Sequence, residues 1–205
     1  MIAFFDFSRT IATGSGFRVG TGFSNREGEF DRIFRDFVSH KIKDEEFIKS
    51  ALKLWQGVKV EDLPKIYQKI ELNPNVPEVL KQLREMQYKL VLISHMPQKL
   101  VDLYRSLGFD YLVGNECEIK EGIFTGTILK MNPDKGVVAR NLAKKLGVNL
   151  NKCIAVGDSR ADIPMFESVG YDKSFSFNAN EEVKKYAKHH IKDFKEIIEI
   201  IKIIN

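Results

Sequence analysis

Four short apolar runs set the strongest limit on how this chain folds. They are "MIAFF" (residues 1–5), "KLVLIS" (89–94), "CIAVGD" (153–158) and "KSFSF" (173–177), and "DYLVGNECEI" (110–119) supplies a further strand. None is long enough for a helix of its own, and continuous apolar character over about five residues suits a strand covered on both faces. Between them lie amphipathic stretches: "NVPEVLKQLREMQ", "MPQKLVDLYRSLG", "DKGVVARNLAKKLGV" and "ADIPMFESVG". Two of these helices end near glycine, at Gly108 and Gly147, as helix C-termini often do. Strand alternating with helix predicts right-handed βαβ units around a parallel sheet. One stretch breaks the rhythm: "IKEGIFTGTIL" places turn residues between β-branched runs and predicts a hairpin.

Residues 13–73 do not fit that sheet. They begin with the glycine-rich "GSGFRVGTGFSNREG" and continue into amphipathic helices such as "EFDRIFRDFVSHKI" and "DEEFIKSALKLWQGV". The expectation is a small helical insertion after strand 1, with residues 1–12 and 74–205 forming the core. Its aromatic stripe, Phe30, Phe34, Phe37 and Trp55, is expected to be the insertion's own core. The glycine-rich stretch lacks a following Gly-Lys-Ser/Thr and so is no phosphate-cradling Walker loop; a mobile hinge or access loop is expected there.

Charge and cysteine content exclude more than they suggest. A net charge of +4 is spread over lysines matched by glutamates, as in "DEEFIKSALK" and "NEEVKKYAKHHIKDFKEII". That pattern predicts solvated helix faces and ranks nucleic-acid binding low. Cys117 and Cys153 lie far apart, with no zinc or disulfide spacing, and are expected to be packed thiols. The N-terminal run lacks a preceding basic stretch and stops at "DFSR", unlike a signal peptide, and no segment is long enough to span a membrane. A cytoplasmic protein, monomeric or homodimeric, is expected.

In an open α/β sheet, ligands bind beyond the carboxyl ends of the strands. Strand 1 ends at Asp6, the second at Ser94, and "CIAVGD" at Asp158, while Lys135 opens a helix. Brought together, these give two carboxylates, a hydroxyl and an ammonium. Two adjacent carboxylates favour a hard cation such as Mg²⁺ between them, and the lysine and hydroxyl suit the oxygens of a transferring phosphoryl group. Each residue also has a plainer reading. Asp6 could cap a strand end, Ser94 a helix starting near Met96, and Asp158 and Asp162 the helix that follows them. Lys135 could be a solvated helix residue, and His95 an ordinary loop histidine.

In order and strand context, "DFSRT", "ISH", "DK" and "GDSRAD" resemble the haloacid dehalogenase superfamily of phosphotransferases, over nearly the whole chain. "VGNECEIKEGIFTG" resembles its phosphoserine-phosphatase-like branch. The resemblance implies a three-layer Rossmann-like α/β core, and the insertion would be a helical cap of the first type. It also implies Mg²⁺-dependent hydrolysis of a small phosphorylated metabolite. Asp6 would be the nucleophile that takes the phosphoryl group. Asp158 and the Ser8 carbonyl would join Asp6 around the metal, with Asp162 supporting that shell. Ser94 and Lys135 would hold phosphate oxygens, with His95 a further candidate phosphate contact.

Three positions depart from the family pattern. Its phosphatases usually carry a second aspartate where this chain has Ser8, and a hydroxyl is too weak an acid and base to replace it. General acid–base help is worth roughly 10²–10⁴-fold, so slow turnover is expected for alcohol leaving groups. Ala161 stands where the branch commonly has asparagine. No acidic residue appears between Asp6 and Glu27, so an early carboxylate to grip a substrate amine is missing, which disfavours serine phosphate. Three accounts of Ser8 stay open: a phosphatase using another acid (a water, His95 or a substrate group), a chain whose aspartate was replaced, or a phosphometabolite-binding or regulatory protein that has lost catalysis. A phosphomutase or a carbon–phosphorus hydrolase is a further enzymatic rival.

Overall fold

The computed structural model describes residues 1–204. Strand β1 (Ile2–Phe5) is followed by four helices, α1 (Gly16–Gly22), α2 (Glu27–Val38), α3 (Asp44–Lys53) and α4 (Leu63–Lys69). The chain then alternates through α5 (Val76–Glu85), β2 (Lys89–Pro97), α6 (Gln98–Val101) and the hairpin β3 (Tyr111–Lys120)–β4 (Ile123–Lys130). It continues with α7 (Lys135–Lys145), β5 (Ile154–Gly157), α8 (Ile163–Val169), β6 (Ser174–Phe177), α9 (Glu181–Lys184), β7 (His189–Ile191) and α10 (Lys195–Ile204). The sheet order is β4-β3-β2-β1-β5-β6-β7, parallel throughout except for the β3–β4 hairpin. The expected α/β sheet and hairpin are both present.

β1 lies in the middle of the sheet, and its side chains alternate between two cores. Ala3 and Phe5 face a cluster with Val79 and Leu83 of α5 and Ile197 and Ile201 of α10. Ile2 and Phe4 face a second cluster with Ala139 and Ala143 of α7 and Met165 and Phe166 of α8. A strand buried on both faces needs no polar residue until it leaves the sheet, which is why its first carboxylate, Asp6, stands at the tip.

Several expectations need correction. The glycine-rich stretch is not a loop: residues 16–22 form α1, where glycine lets the helix backbone approach its neighbours. A side chain at Gly16 would run into the sulfur of Met96, and one at Gly20 into the indole of Trp55. No helix begins near Met96; β2 runs on to Pro97, and α6 starts only after that proline. The charged "NEEVKKYAKHHIKDFKEII" is not one solvated helix either, since it contains α9, the strand β7 and the start of α10, whose Ile197, Ile198 and Ile201 are buried. Both cysteines are free thiols, Cys153 buried and Cys117 half-buried, as expected.

The two chain crossings into the helical insertion are stitched together. Asn73 donates its side-chain amide to the carbonyls of Thr10 (2.7 Å) and Ala12 (3.1 Å), its own N–H reaches the carbonyl of Ile11, and the Thr13 N–H reaches that of Glu71. Apolar packing is continuous from the insertion into the sheet. Trp55 meets Phe124 of β4 edge to face at 5.5 Å, and Phe17 and Phe30 belong to the same cluster as Phe5.

Candidate active site

At the carboxyl ends of β1, β2 and β5, polar residues collect around one small chamber of about 70 Å³. Its walls include Asp6, Ser8, Ser94, His95, Lys135 and Asp158 from the sheet side. Lys135, the first residue of α7, is only 2% exposed, so it is not a solvated helix lysine. Asp134 before it caps the helix, accepting the Val137 N–H at 2.9 Å, and so fixes where the lysine emerges. The Lys135 ammonium donates to Asp6 Oδ1 and, at 2.6 Å, to Asp162 Oδ1.

Asp162 is fully buried, and both its oxygens are taken. Besides Lys135, its carboxylate accepts the N–H groups of Asp158 (3.0 Å) and Ser159 (2.9 Å) and the Ser159 hydroxyl (3.0 Å). It braces the turn that presents Asp158, a supporting place rather than an open one. Asp158 points back to Arg9, whose Nε lies 2.8 Å from Asp158 Oδ2. Ser94 is buried, and its hydroxyl accepts the Met96 N–H at 3.2 Å.

His95 is not a loop histidine: it lies within β2, with Asn115 donating to its carbonyl at 2.6 Å. Burial, reinforced by the positive charge of Lys135, pushes its imidazole down to about 4, so it is neutral around pH 7. Burial raises Asp6 to about 6, against the pull of Lys135. Asp158 is also raised, by burial first and then by Asp6 and Asp162. Burial disfavours the charge on Lys135, yet Asp162 and Asp6 outweigh it and hold the ammonium well above its ordinary value. Three carboxylates against one buried ammonium leave this cluster short of positive charge.

That shortage bears on metal binding. Asp6, Asp158 and Asp162 each offer an oxygen, all within 4.8 Å of one another. Asp6 Oδ2 is buried and has no hydrogen-bond partner in the protein. Such atoms are costly to leave unpaired, and a hard divalent cation with oxygen ligands satisfies them. The residues therefore fit Mg²⁺, with Asp6 and Asp158 in front, each engaged through one oxygen by Lys135 or Arg9, and Asp162 behind them.

The opposite wall belongs to the insertion and is apolar: Phe17, Phe34, Phe37, Phe47 and Ile48, with Asp44 the one carboxylate. Phe34 and Phe37 were expected inside the insertion's own core, yet both are half-buried and face the chamber. Arginines from the sheet side lie over them, the Arg9 guanidinium 5.1 Å from the Phe34 centroid and that of Arg160 5.1 Å from Phe37. Asp44 is already engaged, accepting from Arg160 at 3.1 Å. Sequence reasoning missed Arg9, Asp44 and Arg160. Arg9 sits beside the nucleophile candidate in a left-handed conformation (φ 62°), and nothing in a lone arginine announces that geometry. A wider cleft of about 410 Å³ adjoins the chamber and shares Arg9, Phe37, Asp158 and Ser159 with it.

Comparison with known proteins agrees with the fold. Residues 3–167 match the family model of haloacid dehalogenase-like hydrolases. The chain belongs to that family. It is 28% identical over 205 residues to a phosphoserine phosphatase of Methanocaldococcus jannaschii, covering 97% of this chain and 96% of that one. Against a phosphoserine phosphatase of Archaeoglobus fulgidus it is 34% identical over 163 residues, 78% of this chain but only 47% of the longer relative's length. A solved structure of a phospho-aspartyl intermediate analogue of phosphoserine phosphatase superposes with a TM-score of 0.84 at 25% identity, over 97% of each chain. In fold the protein is phosphoserine-phosphatase-like.

Proposed function

We propose that this protein is a phosphatase that hydrolyses a small phosphate monoester by passing the phosphoryl group to Asp6. The observation that carries the reading is the buried Lys135, which ties the Asp6 carboxylate at the tip of the central strand to Asp162 behind Asp158. Lys135 orients the Asp6 carboxylate, one oxygen of which would attack phosphorus while the other would meet the metal. Ser94 and Lys135 hold the non-bridging phosphate oxygens and stabilise the charge they carry in the transition state. Asp6, Asp158 and the Ser8 carbonyl would hold the metal. When bound, Mg²⁺ neutralises the phosphate so that a weak carboxylate nucleophile can approach it. His95, neutral and half-buried beside Ser94, supports the phosphate pocket. Residues 13–73 act as a cap whose aromatic wall excludes water and selects the substrate.

The test is direct. The protein with Mg²⁺ is expected to release phosphate from p-nitrophenyl phosphate, and Asp6→Asn is expected to lose at least about 10³-fold of that rate. Equal release by wild type and Asp6→Asn would reject the nucleophile assignment. Magnesium-dependent binding of a phosphate mimic without any turnover would instead support the non-catalytic, phosphometabolite-binding alternative.

A further inference from the structure

Resting on that reading, the chamber also says what kind of ester fits. With a phosphoryl group at Asp6, the leaving oxygen needs either a proton or stabilisation as an anion. The chamber wall offers few groups to supply the proton: the His95 imidazole is neutral around pH 7, and Asp158 is paired to Arg9. Ser8 is a hydroxyl, Lys135 is committed to two carboxylates, and Asp44 is ion-paired to Arg160. A cation lines the same wall next to Ser8: the Arg9 guanidinium is paired to Asp158 through Nε, and its side chain is still 39% exposed. The wall that the rest of the substrate would meet is aromatic, and Phe37 is the aromatic residue that borders both the chamber and the wider cleft. Phe37 is itself stacked on Phe47, with centroids 4.4 Å apart.

We propose that the site takes phosphate monoesters with an aromatic leaving group that departs as an anion, rather than esters of an aliphatic amino alcohol. Asp6 attacks phosphorus, and the bond from phosphorus to the aryl oxygen breaks, its electron pair going to that oxygen. The aryloxide leaves beside Arg9 without needing a proton. Water then adds to the aspartyl-phosphate phosphorus, its proton passes to solvent, and phosphate leaves with the Asp6 carboxylate restored. A phenol, with acidity near the ~10 of tyrosine, tolerates such a departure, whereas an alkyl alcohol without general acid help loses roughly 10²-fold or more. The ring lies against Phe37, where face or edge contact with an aromatic wall adds affinity.

A series of substituted phenyl phosphates, together with O-phosphoserine and an alkyl phosphate, tests this with the full chain and Mg²⁺. The expected result is kcat/KM climbing steeply with leaving-group acidity, with phenyl phosphate ahead of O-phosphoserine by roughly 10²-fold. In Ser8→Asp the slope should flatten and the gap narrow at least tenfold. A second arm measures binding to Asp6→Asn by calorimetry. Phenyl phosphate should bind more tightly than O-phosphoserine, and Phe37→Ala should weaken phenyl phosphate about 2–10-fold while leaving inorganic phosphate unchanged. Phe37→Leu checks that any loss is not a folding defect. O-phosphoserine matching phenyl phosphate in both arms would overturn the proposal while leaving the phosphatase reading intact. No phosphate release from any ester, in wild type or Ser8→Asp, would overturn the phosphatase reading together with the leaving-group mechanism.

Discussion

The two walls of the chamber are built by opposite means. The sheet side is charged and buried, each of its groups held by specific partners: Lys135 between Asp6 and Asp162, Asp162 on two backbone N–H groups, Asp158 on Arg9. The insertion side is a layer of phenylalanine rings in contact with one another and, at its edge, with two guanidiniums. Ionic hydrogen bonds fix atoms to within tenths of an ångström, as phosphoryl chemistry requires, whereas ring packing tolerates change in shape. On the proposed reading, the core would set the reaction type and the insertion the selectivity.

The sharpest way to break this contrast is to remove the ammonium. Lys135→Met leaves Asp6 and Asp162 facing each other in the dark of the core, and breaking a buried pair in this way costs about 3–5 kcal/mol. Urea unfolding should show that loss, together with loss of phosphate release; an unchanged midpoint would mean that the sheet-side wall is not held by charge. Second in size is Gly20→Val, which drives a side chain into Trp55 and should cost about 1–3 kcal/mol by overpacking. It should loosen the insertion first, so protease cleavage within residues 13–73 should precede global unfolding.

A pH titration sharpens the charge argument. Burial raises Asp6 from 3.8 in the open chain to about 6, so the folded state binds its proton more tightly than the unfolded state does. The stability contributed by that proton is complete below about pH 4 and is lost as pH rises through 6, an effect of about 1–3 kcal/mol in metal-free protein. Asp158 acts in the same direction. Added Mg²⁺ should reverse the decline, and Asp6→Asn should remove its own share; metal-free stability that rises over this interval would contradict the assignment. The smallest expected effect is that of Phe37→Ala on folding. The ring is half-buried at the chamber's edge, and a change of no more than about 1 kcal/mol in urea unfolding would place its role in ligand choice.

What the sequence disclosed follows the same division. Asp6, Lys135 and Asp158 were legible because each borders an element whose apolar pattern is clear, and the sheet brings such ends together; Ser94 was found with them although β2 continues past it to Pro97. The strands up to β6 were legible from period and length, including the departure at the hairpin, whereas the three-residue β7 was hidden in a charged stretch. The insertion's inner face was not. Helical periodicity places Phe30, Phe34 and Phe37 on neighbouring faces of α2, but whether a ring meets its own domain or the one opposite depends on docking, which a local pattern does not encode. Gly16 and Gly20 misled for a related reason. Glycine usually signals a loop, and only the partners Met96 and Trp55, distant in sequence, explain it inside a helix. Arg9 and Asp44 gained meaning only from where the fold put their neighbours.

The position of β1 carries a consequence for how the molecule is made. Phe4 pairs with Val91 on one side and Ala155 on the other, so β1 is flanked by two strands that are synthesised well after it. Contacts this distant in sequence form slowly, and until β5 arrives one edge of the nascent strand has nothing to pair with, a condition that invites association between chains. A chain halted before Ile154 would carry its would-be nucleophile on an unfinished border, and chaperone dependence during synthesis should fall sharply once that strand has been translated.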